Sequence, residues 1–417
     1  MRILIIGDGA REHALAHKLS ESKKVEKIFV APGNGGTKNE MKCTNINVEG
    51  QLNLRDFAIR EKIDITVVGP EANLMEGIVD IFCEKGLSIL GPHKAAALLE
   101  GSKSFAKDFM VKYGIKTAKY GTFTDAKEAK AYAMMLGFPV VIKADGLAQG
   151  KGVEIAKSYE EAKEVIDSFI LEKKFHEASK KIVIEEFLVG KEASLITLFD
   201  GKNIIPMRSS MDHKKIQEGE KGLNTGGMGS ISPNPYYDSA MEEDFTQNIL
   251  KNTLKGLKAE GLTFKGVIFF GLMLTNKGAY LLEYNLRFGD PETQGLLFTL
   301  RSDLAEVLQK TLEGTLTPEE IIYDDDTALC VVLASQGYPL AYKKDLDITA
   351  YLLASPPGIK VYSYASTEKE GKISSKGGRV LSVVSAGTGE MPFEKVYGYI
   401  NELGNPDLVF RKDIGRI

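Results

Sequence analysis

Glu283, Asn285 and Arg287 stand two residues apart in the stretch YLLEYNLRFGDPETQ at 280–294. If this is a strand, the spacing puts them on one face together with Leu281, and puts Tyr280, Leu282, Tyr284 and Leu286 on the other. A carboxylate, an amide and a guanidinium in a row are costly to desolvate unless they meet a metal, a phosphate or one another. Glu and Asn oxygens are hard donors of the kind Mg²⁺ takes while keeping part of its shell for phosphate oxygens, and arginine has the planar fork that pairs with phosphate or carboxylate. The pattern points to a nucleoside triphosphate. An edge strand whose Glu and Arg pair in water is the alternative.

Other loops add phosphate chemistry. GDGARE at 7–12, APGNGGT at 31–37, GPEANL at 69–74 and GPHKAA at 91–96 each follow a short apolar run. The first departs from GxGxxG at Glu12, and no ribose-binding acid follows the second strand, which argues against a dinucleotide. Backbone N–H groups at 9–11 and 34–37 could hold one phosphate, with Arg11 beside them. Lys143 ends a strand before Gly146, Gly150, Lys151 and Gly152, and a second strand follows. That is a strand–glycine loop–strand hairpin, not a Walker A loop, because no Ser or Thr follows Lys151. It reads as a lid over a triphosphate or as a surface hairpin. KIVIEEFL at 181–188 would offer backbone groups to an adenine ring, with Glu192 placed for ribose hydroxyls. DHKK at 212–215 precedes a glycine-rich run at 222–229; His213 has no partner at ligand spacing and receives no role.

These loops need a frame. The chain has 417 residues, about three domains' worth, with 43% hydrophobic and 26% charged residues. A net charge of -4 shows no basic excess of the kind that nucleic-acid binding needs. No apolar run reaches a membrane span or a signal segment, so a cytoplasmic chain is expected. Cys43, Cys83 and Cys330 are too scattered for a disulfide framework or a zinc site. Residues 1–100 alternate strand and helix as a doubly wound parallel sheet. Expected further on are a helix at 102–113, hairpins at 139–156 and 266–286, an amphipathic helix at 296–312, a boundary at the acidic run 323–326, and a strand-rich α+β segment to the end.

With these motifs read, the chain resembles the glycinamide ribonucleotide synthetases of the ATP-grasp superfamily, end to end. RFGDPETQ at 287–294 is the most specific signature, supported by GAREHALA at 9–16, VGPEA at 68–72, LEGSKSFAKDF at 99–109, VIKADGLAQGKGV at 141–153, NTGGMG at 224–229 and FRKDIG at 410–415. The resemblance implies a doubly wound phosphoribosylamine-binding domain at 1–102, an ATP-grasp domain at 103–326 with a lid at about 124–190, and a strand-rich C-terminal domain at 327–417. It implies ATP-dependent ligation of glycine to 5-phosphoribosylamine through glycyl phosphate, in purine biosynthesis, with Mg²⁺ or Mn²⁺. The roles it implies are catalysis by Arg287, Lys143 and Asp212, and metal binding by Glu283 and Asn285. ATP falls to Lys103, Lys143, Gly150, Lys151, Gly152, Glu185, Glu186, Phe187, Leu188 and Glu192. Phosphoribosylamine falls to Gly9, Arg11, Asn34, Gly35, Pro70 and Glu71. Where related enzymes carry a further metal-binding acid, this chain has Phe270 and Gly271. Small molecules are the expected partners of a monomer, with neither nucleic acid nor membrane. The competing readings are another ATP-grasp ligase and a non-catalytic nucleotide-binding regulator.

Overall fold

The computed structural model describes residues 1–148 and 152–416. The N-terminal strands Arg2–Gly7, Lys27–Pro32, Cys43–Asn45, Ile65–Val68 and Ile89–Leu90 form a parallel sheet in the order third, second, first, fourth, fifth. Ile3, Leu4 and Ile5 are fully buried at its centre, as a strand covered on both faces requires. Strand order reverses on either side of Arg2–Gly7, so the loops after Gly7 and Val68 flank a switch point, where open α/β sheets take ligands.

A second, antiparallel sheet runs in the order Tyr120–Phe123, Ile182–Glu186, Val140–Ala144, Val153–Ala156. Helices Ala126–Leu136 and Tyr159–Ile166 pack on it, capped by the Asp125 and Ser158 side chains, around a separate apolar core that includes Ile142, Phe169 and Ile184. The hairpin expected at 139–156 is therefore present, with Lys143 opposite Val153. Gly150 and Lys151, assigned to ATP from the sequence, lie outside the described residues.

The third sheet has nine strands. It runs Gly278–Asn285, Gly266–Thr275, Lys191–Phe199, Ile204–Asp212, Gly229–Ser232, Thr327–Ser335, Arg379–Gly387, Ile359–Ser363, and Leu408–Val409 pairs with Thr327–Ser335. Ser230 pairs with Cys330, so the sheet continues across the acidic run at 323–326. The helix expected at 296–312 is two helices, Glu292–Phe298 and Leu304–Glu313. Asp303 breaks it by accepting hydrogen bonds from Ala305 N and Glu306 N, the N-cap geometry that starts a new helix. No helix among the described residues is long and apolar enough to cross a membrane.

Candidate active site

The strand Gly278–Asn285 does not keep strict alternation. Gly271 of the neighbouring strand pairs with Glu283, yet Leu272 pairs with Leu281, leaving Leu282 as an extra residue. Such a bulge reverses the phase of the faces. Leu281 is consequently buried beside Tyr284 and Leu286 in the core, not on the face of Glu283 as strict alternation predicts. Asn285 and Arg287 do lie together, Arg287 Nη2 donating to Asn285 Oδ1 at 3.1 Å. Leu286 faces the core as expected.

Gly271 gives Glu283 its space: a Cβ there would lie 3.2 Å from Glu283 Cγ. Burial alone would raise the Glu283 pKa, but Lys214, Lys143, Lys103 and Arg287 outweigh it and hold the carboxyl below its ordinary range. Those cations arrive from four separate segments, and Glu283 is where their fields meet. Arg287 is fixed on several sides: its Nη1 donates to Phe288 O at 3.2 Å, and its Nε lies 3.4 Å from Glu100 Oε1 and 3.9 Å from Glu71 Oε2.

Lys143 ends its strand in a buried ion-pair triad. Glu185 Oε1 stands 2.8 Å from Lys143 Nζ as an ion pair, and its Oε2 accepts from Lys107 Nζ at 3.0 Å, with all three side chains nearly inaccessible. Lys107 also donates to Thr117 Oγ1 at 2.7 Å, and Thr117 Oγ1 donates to Leu281 O, tying the triad to the central sheet. Burial pushes the Lys107 pKa down to about 8, Glu185 only partly offsetting it. Burial opposes ionisation of Glu185 too, but the two lysines hold its pKa below the usual value. Glu185 thus stands between Lys143 and Lys107, with Oε2 hydrogen-bonded and Oε1 held by charge. Lys103 starts the helix Lys103–Lys112, whose N-terminus is capped by Ser102, and Ser104 N donates to Asp145 Oδ1 at 2.6 Å. Lys103 Nζ reaches Gly146 O at 3.4 Å, at the root of the glycine loop. Gly152 closes that loop: its carbonyl accepts from Ala144 N, and a Cβ would meet Ala148 Cβ at 2.7 Å.

The connection after Ile182–Glu186 has no regular structure. Phe187 is exposed and Leu188 half-buried, while Glu186 Oε1 accepts Lys119 N at 2.9 Å, so that side chain secures the turn. Glu192 pairs with Lys214 Nζ at 2.9 Å. Asp212 ends Ile204–Asp212 next to the glycine-rich loop, and Glu292 begins a helix with Oε1 accepting from Ser194 Oγ at 2.9 Å.

The N-terminal loops pack against the RFGDPETQ segment. Glu12, which breaks the GxGxxG pattern, accepts Gly9 N at 2.8 Å and Arg11 Nε at 2.7 Å. Its carboxylate fills the space that glycines leave: a Cβ at Gly7, Gly9 or Gly69 would come within 2.7, 2.6 or 1.7 Å of the Glu12 side chain. Arg11 is buried and donates through Nη1 to Phe288 O at 3.0 Å, joining this loop to the RFGDPETQ segment. The amides at 34–37 do not serve a phosphate here. Asn34 N donates to Thr37 Oγ1, Gly35 N to Ser366 Oγ, and Gly36 N and Thr37 N both to Asn34 Oδ1. Asn34 Nδ2 is spent on the carbonyls of Asp8 and Ser363, and Gly35 makes room for Ile373, whose Cγ2 would stand 2.4 Å from a Cβ. Both residues shape the loop and dock it to the C-terminal segment. Pro70 is the N-cap of Glu71–Glu76, which turns Glu71 toward Arg287.

Asp290 joins the RFGDPETQ segment to the C-terminal part. It accepts from Tyr364 Oη at 2.8 Å, from Gln294 Nε2 at 2.9 Å and from Arg379 Nη2 at 3.3 Å, and Arg379 Nη1 also donates to Gly226 O.

Comparison with known proteins divides the chain into three parts. Models of the phosphoribosylglycinamide synthetase N domain, ATP-grasp (A) domain and C domain match residues 1–100, 101–293 and 328–417. The chain belongs to the phosphoribosylglycinamide synthetase family. Curated phosphoribosylamine–glycine ligases of Clostridium acetobutylicum and Fusobacterium nucleatum are 48% and 49% identical, covering 100% of this chain and 100% and 99% of theirs. The crystal structure of the phosphoribosylamine–glycine ligase of Thermotoga maritima superposes with a TM-score of 0.87 at 32% identity, over 99% of this chain and 100% of that one. A biotin carboxylase domain of Hydrogenobacter thermophilus, at 17% identity and a TM-score of 0.69 over 96% of this chain and 88% of that one, shares the fold.

Within this phosphoribosylglycinamide synthetase fold, the sequence reading passed over Lys107, Lys214, Glu292, Asp290 and Glu12. Lys107 carried a usable signal, since it lies four residues after Lys103 on the same helix face and is fully buried. Asp290 and Glu292 stood inside the signature but outside the two-residue alternation. Lys214, in the turn after Ile204–Asp212, could only be found once the fold brought its charge to bear on Glu283.

Proposed function

We propose that the cleft between the three sheets is where ATP, glycine and 5-phosphoribosylamine meet, and that its charged groups act in the roles given below. The chain is an ATP-dependent ligase that joins glycine to 5-phosphoribosylamine, giving glycinamide ribonucleotide, ADP and phosphate in purine biosynthesis. The observation that carries the site assignment is the convergence of Lys103, Lys143, Lys214 and Arg287 on Glu283. A field of four cations suits a triphosphate and the charge that builds up as its terminal phosphoryl group moves.

The glycine carboxylate attacks the γ-phosphorus and the bond to the β–γ bridging oxygen breaks, leaving ADP. The amine of phosphoribosylamine then attacks the carbonyl of glycyl phosphate, loses a proton and expels phosphate. Lys143, held by Glu185, and Lys103 bind phosphate oxygens, with Lys151 assigned alongside them from sequence. Arg287 steadies the acyl phosphate. The edge at Glu186, Phe187 and Leu188 receives the adenine, and Glu192 the ribose. Gly9, Arg11, Pro70 and Glu71 line the phosphoribosylamine end, with Asn34 and Gly35 shaping its wall.

Glu283 and Asn285 offer one carboxylate and one amide oxygen, a donor set that fits Mg²⁺ or Mn²⁺ sharing its shell with water and phosphate. Bound there, the cation would neutralise charge on the phosphates. The N-terminal, ATP-grasp and C-terminal divisions at 1–102, 103–326 and 327–417 act as one monomer on small molecules, inside the cytoplasm, without nucleic acid or membrane. The test is ADP release with each substrate omitted in turn. Full turnover should require ATP, glycine and phosphoribosylamine together; release that continues at full rate without glycine would overturn the assignment.

A further inference from the structure

Glu100 meets the RFGDPETQ segment at two points. Its Oε2 accepts Leu286 N at 2.6 Å, which fixes the chain where it leaves Gly278–Asn285, and its Oε1 lies 3.4 Å from Arg287 Nε. Only 7% of its side chain is exposed. Arg287 Nε is buried without a hydrogen-bond partner among the described residues, so this charge contact is what steadies it. Glu71, the other acid near Nε, lies farther off at 3.9 Å with 32% of its side chain exposed. Nη1 and Nη2 each spend one proton, on Phe288 O and Asn285 Oδ1. A guanidinium has five, so among the described residues one on each remains for a substrate oxyanion. Glu100 belongs to the helix Lys94–Gly101, and Ser102, two residues on, caps the helix that Lys103 begins. The packing there is close: a Cβ at Gly101 would stand 2.2 Å from Met75 Sδ, on the helix Glu71–Glu76. Burial raises the Glu100 pKa, and Arg287 and the Leu286 amide only partly offset it. A carboxylate so placed is costly for the fold, and both of its contacts serve Arg287 and the residue before it.

We propose that Glu100 is a positioning residue for the ligation: it sets the plane of the Arg287 guanidinium, so that its two remaining protons face the acyl phosphate, and holds it in register with Lys103. The inference rests on the ligase reading above, in which Arg287 steadies glycyl phosphate. An arginine side chain is long and flexible, and its fork binds an oxyanion well only when its plane is set beforehand. The bond to Leu286 N fixes the root of that side chain, and the charge at Nε fixes its rotation. Glu100 thus acts through Arg287 rather than on a substrate. When Arg287 is misaligned, glycyl phosphate is held less well, and water attacks its carbonyl in place of the amine of phosphoribosylamine. That attack returns glycine and phosphate, so ATP is spent without product.

The test uses the full chain as E100Q, E100D and R287K, with each Glu100 variant also made on the R287K background. A calorimetric titration of ADP shows that the nucleotide site of each is folded. Glutamine keeps an acceptor for Leu286 N and removes the charge at Nε. E100Q should lower kcat about 10- to 100-fold, the effect of losing a contact to a charged group, with the ATP KM within about 2-fold of wild type. Phosphate released per glycinamide ribonucleotide formed should rise above parity. E100D, which keeps the charge, should recover part of kcat. On the R287K background E100Q should cost less than about 3-fold more, because no arginine plane is left to set. A merely structural glutamate would lower kcat equally on both backgrounds and leave the phosphate ratio at parity, and that result would overturn the proposal. If E100Q fails to bind ADP, E100D on the two backgrounds carries the same expectations at smaller size, with the same refuting result. R287K with kcat and phosphate ratio unchanged would instead overturn the role of Arg287 on which the inference rests.

Discussion

Replacing Glu185 by Gln should both loosen the four-stranded sheet and misplace Lys143. The carboxylate sits between two lysines with 2% of its side chain exposed, bonded at 2.8 and 3.0 Å. Removing one partner of a buried ion pair typically costs ~3–5 kcal/mol, because the remaining charge is stranded. Here two charges are stranded, but Lys107 has an escape: with its pKa already lowered to about 8, loss of Glu185 takes it lower still, so it can shed its proton near neutrality. Each pKa unit of that escape is worth about 1.4 kcal/mol, which places the expected penalty near ~3 kcal/mol at pH 7. The sign of its pH dependence follows. In E185Q the folded Lys107 binds its proton less tightly than the unfolded chain does, so the penalty shrinks as pH rises toward 9. K107M alone leaves the Lys143–Glu185 pair intact and should cost about 1–2 kcal/mol, mainly from the lost bond to Thr117. The double variant should be more stable than the sum of the two single costs by at least ~1 kcal/mol, since it no longer holds two unpaired lysines together. Hydrogen exchange along Ile182–Glu186 measures the local stability, and calorimetry with a non-hydrolysable ATP analogue measures the effect on Lys143. Strictly additive costs, or a penalty that grows with pH, would refute the triad as described.

Two further outcomes follow from the joints between the segments. His13 is buried as a neutral ring, Nδ1 accepting from Ser363 N at 2.9 Å and Nε2 facing Glu40 Oε1 at 3.0 Å, with His17 and Lys360 also at Glu40. Burial, more than Glu40 can offset, lowers its pKa below 6.5, so the unfolded chain binds more protons in mild acid. Stability contributed by this joint should be complete above about pH 6.5 and be lost as pH falls below it; thermal melts from pH 8 to 5 check this, and H13Q should flatten that part of the profile. D290N should destabilise the chain by at least ~2 kcal/mol in urea unfolding, because the amide leaves Arg379 without its counter-charge while keeping the bonds to Tyr364 and Gln294 only in part. Loss of less than half that amount would mean the joint to the C-terminal part is held elsewhere.

The ordered motifs made the family and the parallel N-terminal sheet legible from sequence, while the errors have separate local causes. Period-two reasoning assumes an unbroken ladder, and the extra residue at Leu282 breaks it, so Leu281 was set on the wrong face while Glu283, Asn285 and Arg287 kept their relation. The amides at 34–37 looked free because a glycine-rich loop resembles an anion nest, but Asn34 Oδ1, Thr37 and Ser366 fill it from within and from a segment some three hundred residues away. Glu12 looked like a failed dinucleotide motif; it is the object around which Gly7, Gly9 and Gly69 are bare. The break before Leu304 was readable, since Asp303 with Glu306 three residues on is a helix-start signal, yet the apolar periodicity on both sides masked it. Gly271 drew notice only as a missing metal-binding acid, although the strand that pairs with Glu283 needs a residue without a side chain there.

The central claim is that this cleft passes the phosphoryl group of ATP to the carboxylate of glycine before the amide bond forms, and oxygen transfer tests it directly. Glycine labelled with ¹⁸O in its carboxylate is supplied with ATP and phosphoribosylamine, and the released phosphate is analysed by mass. Attack by the carboxylate makes one of its oxygens the bridge of glycyl phosphate, and expulsion of phosphate by the amine takes that oxygen away from carbon. The account predicts one ¹⁸O atom in each phosphate formed and none in ADP. Unlabelled phosphate alongside confirmed product would contradict it.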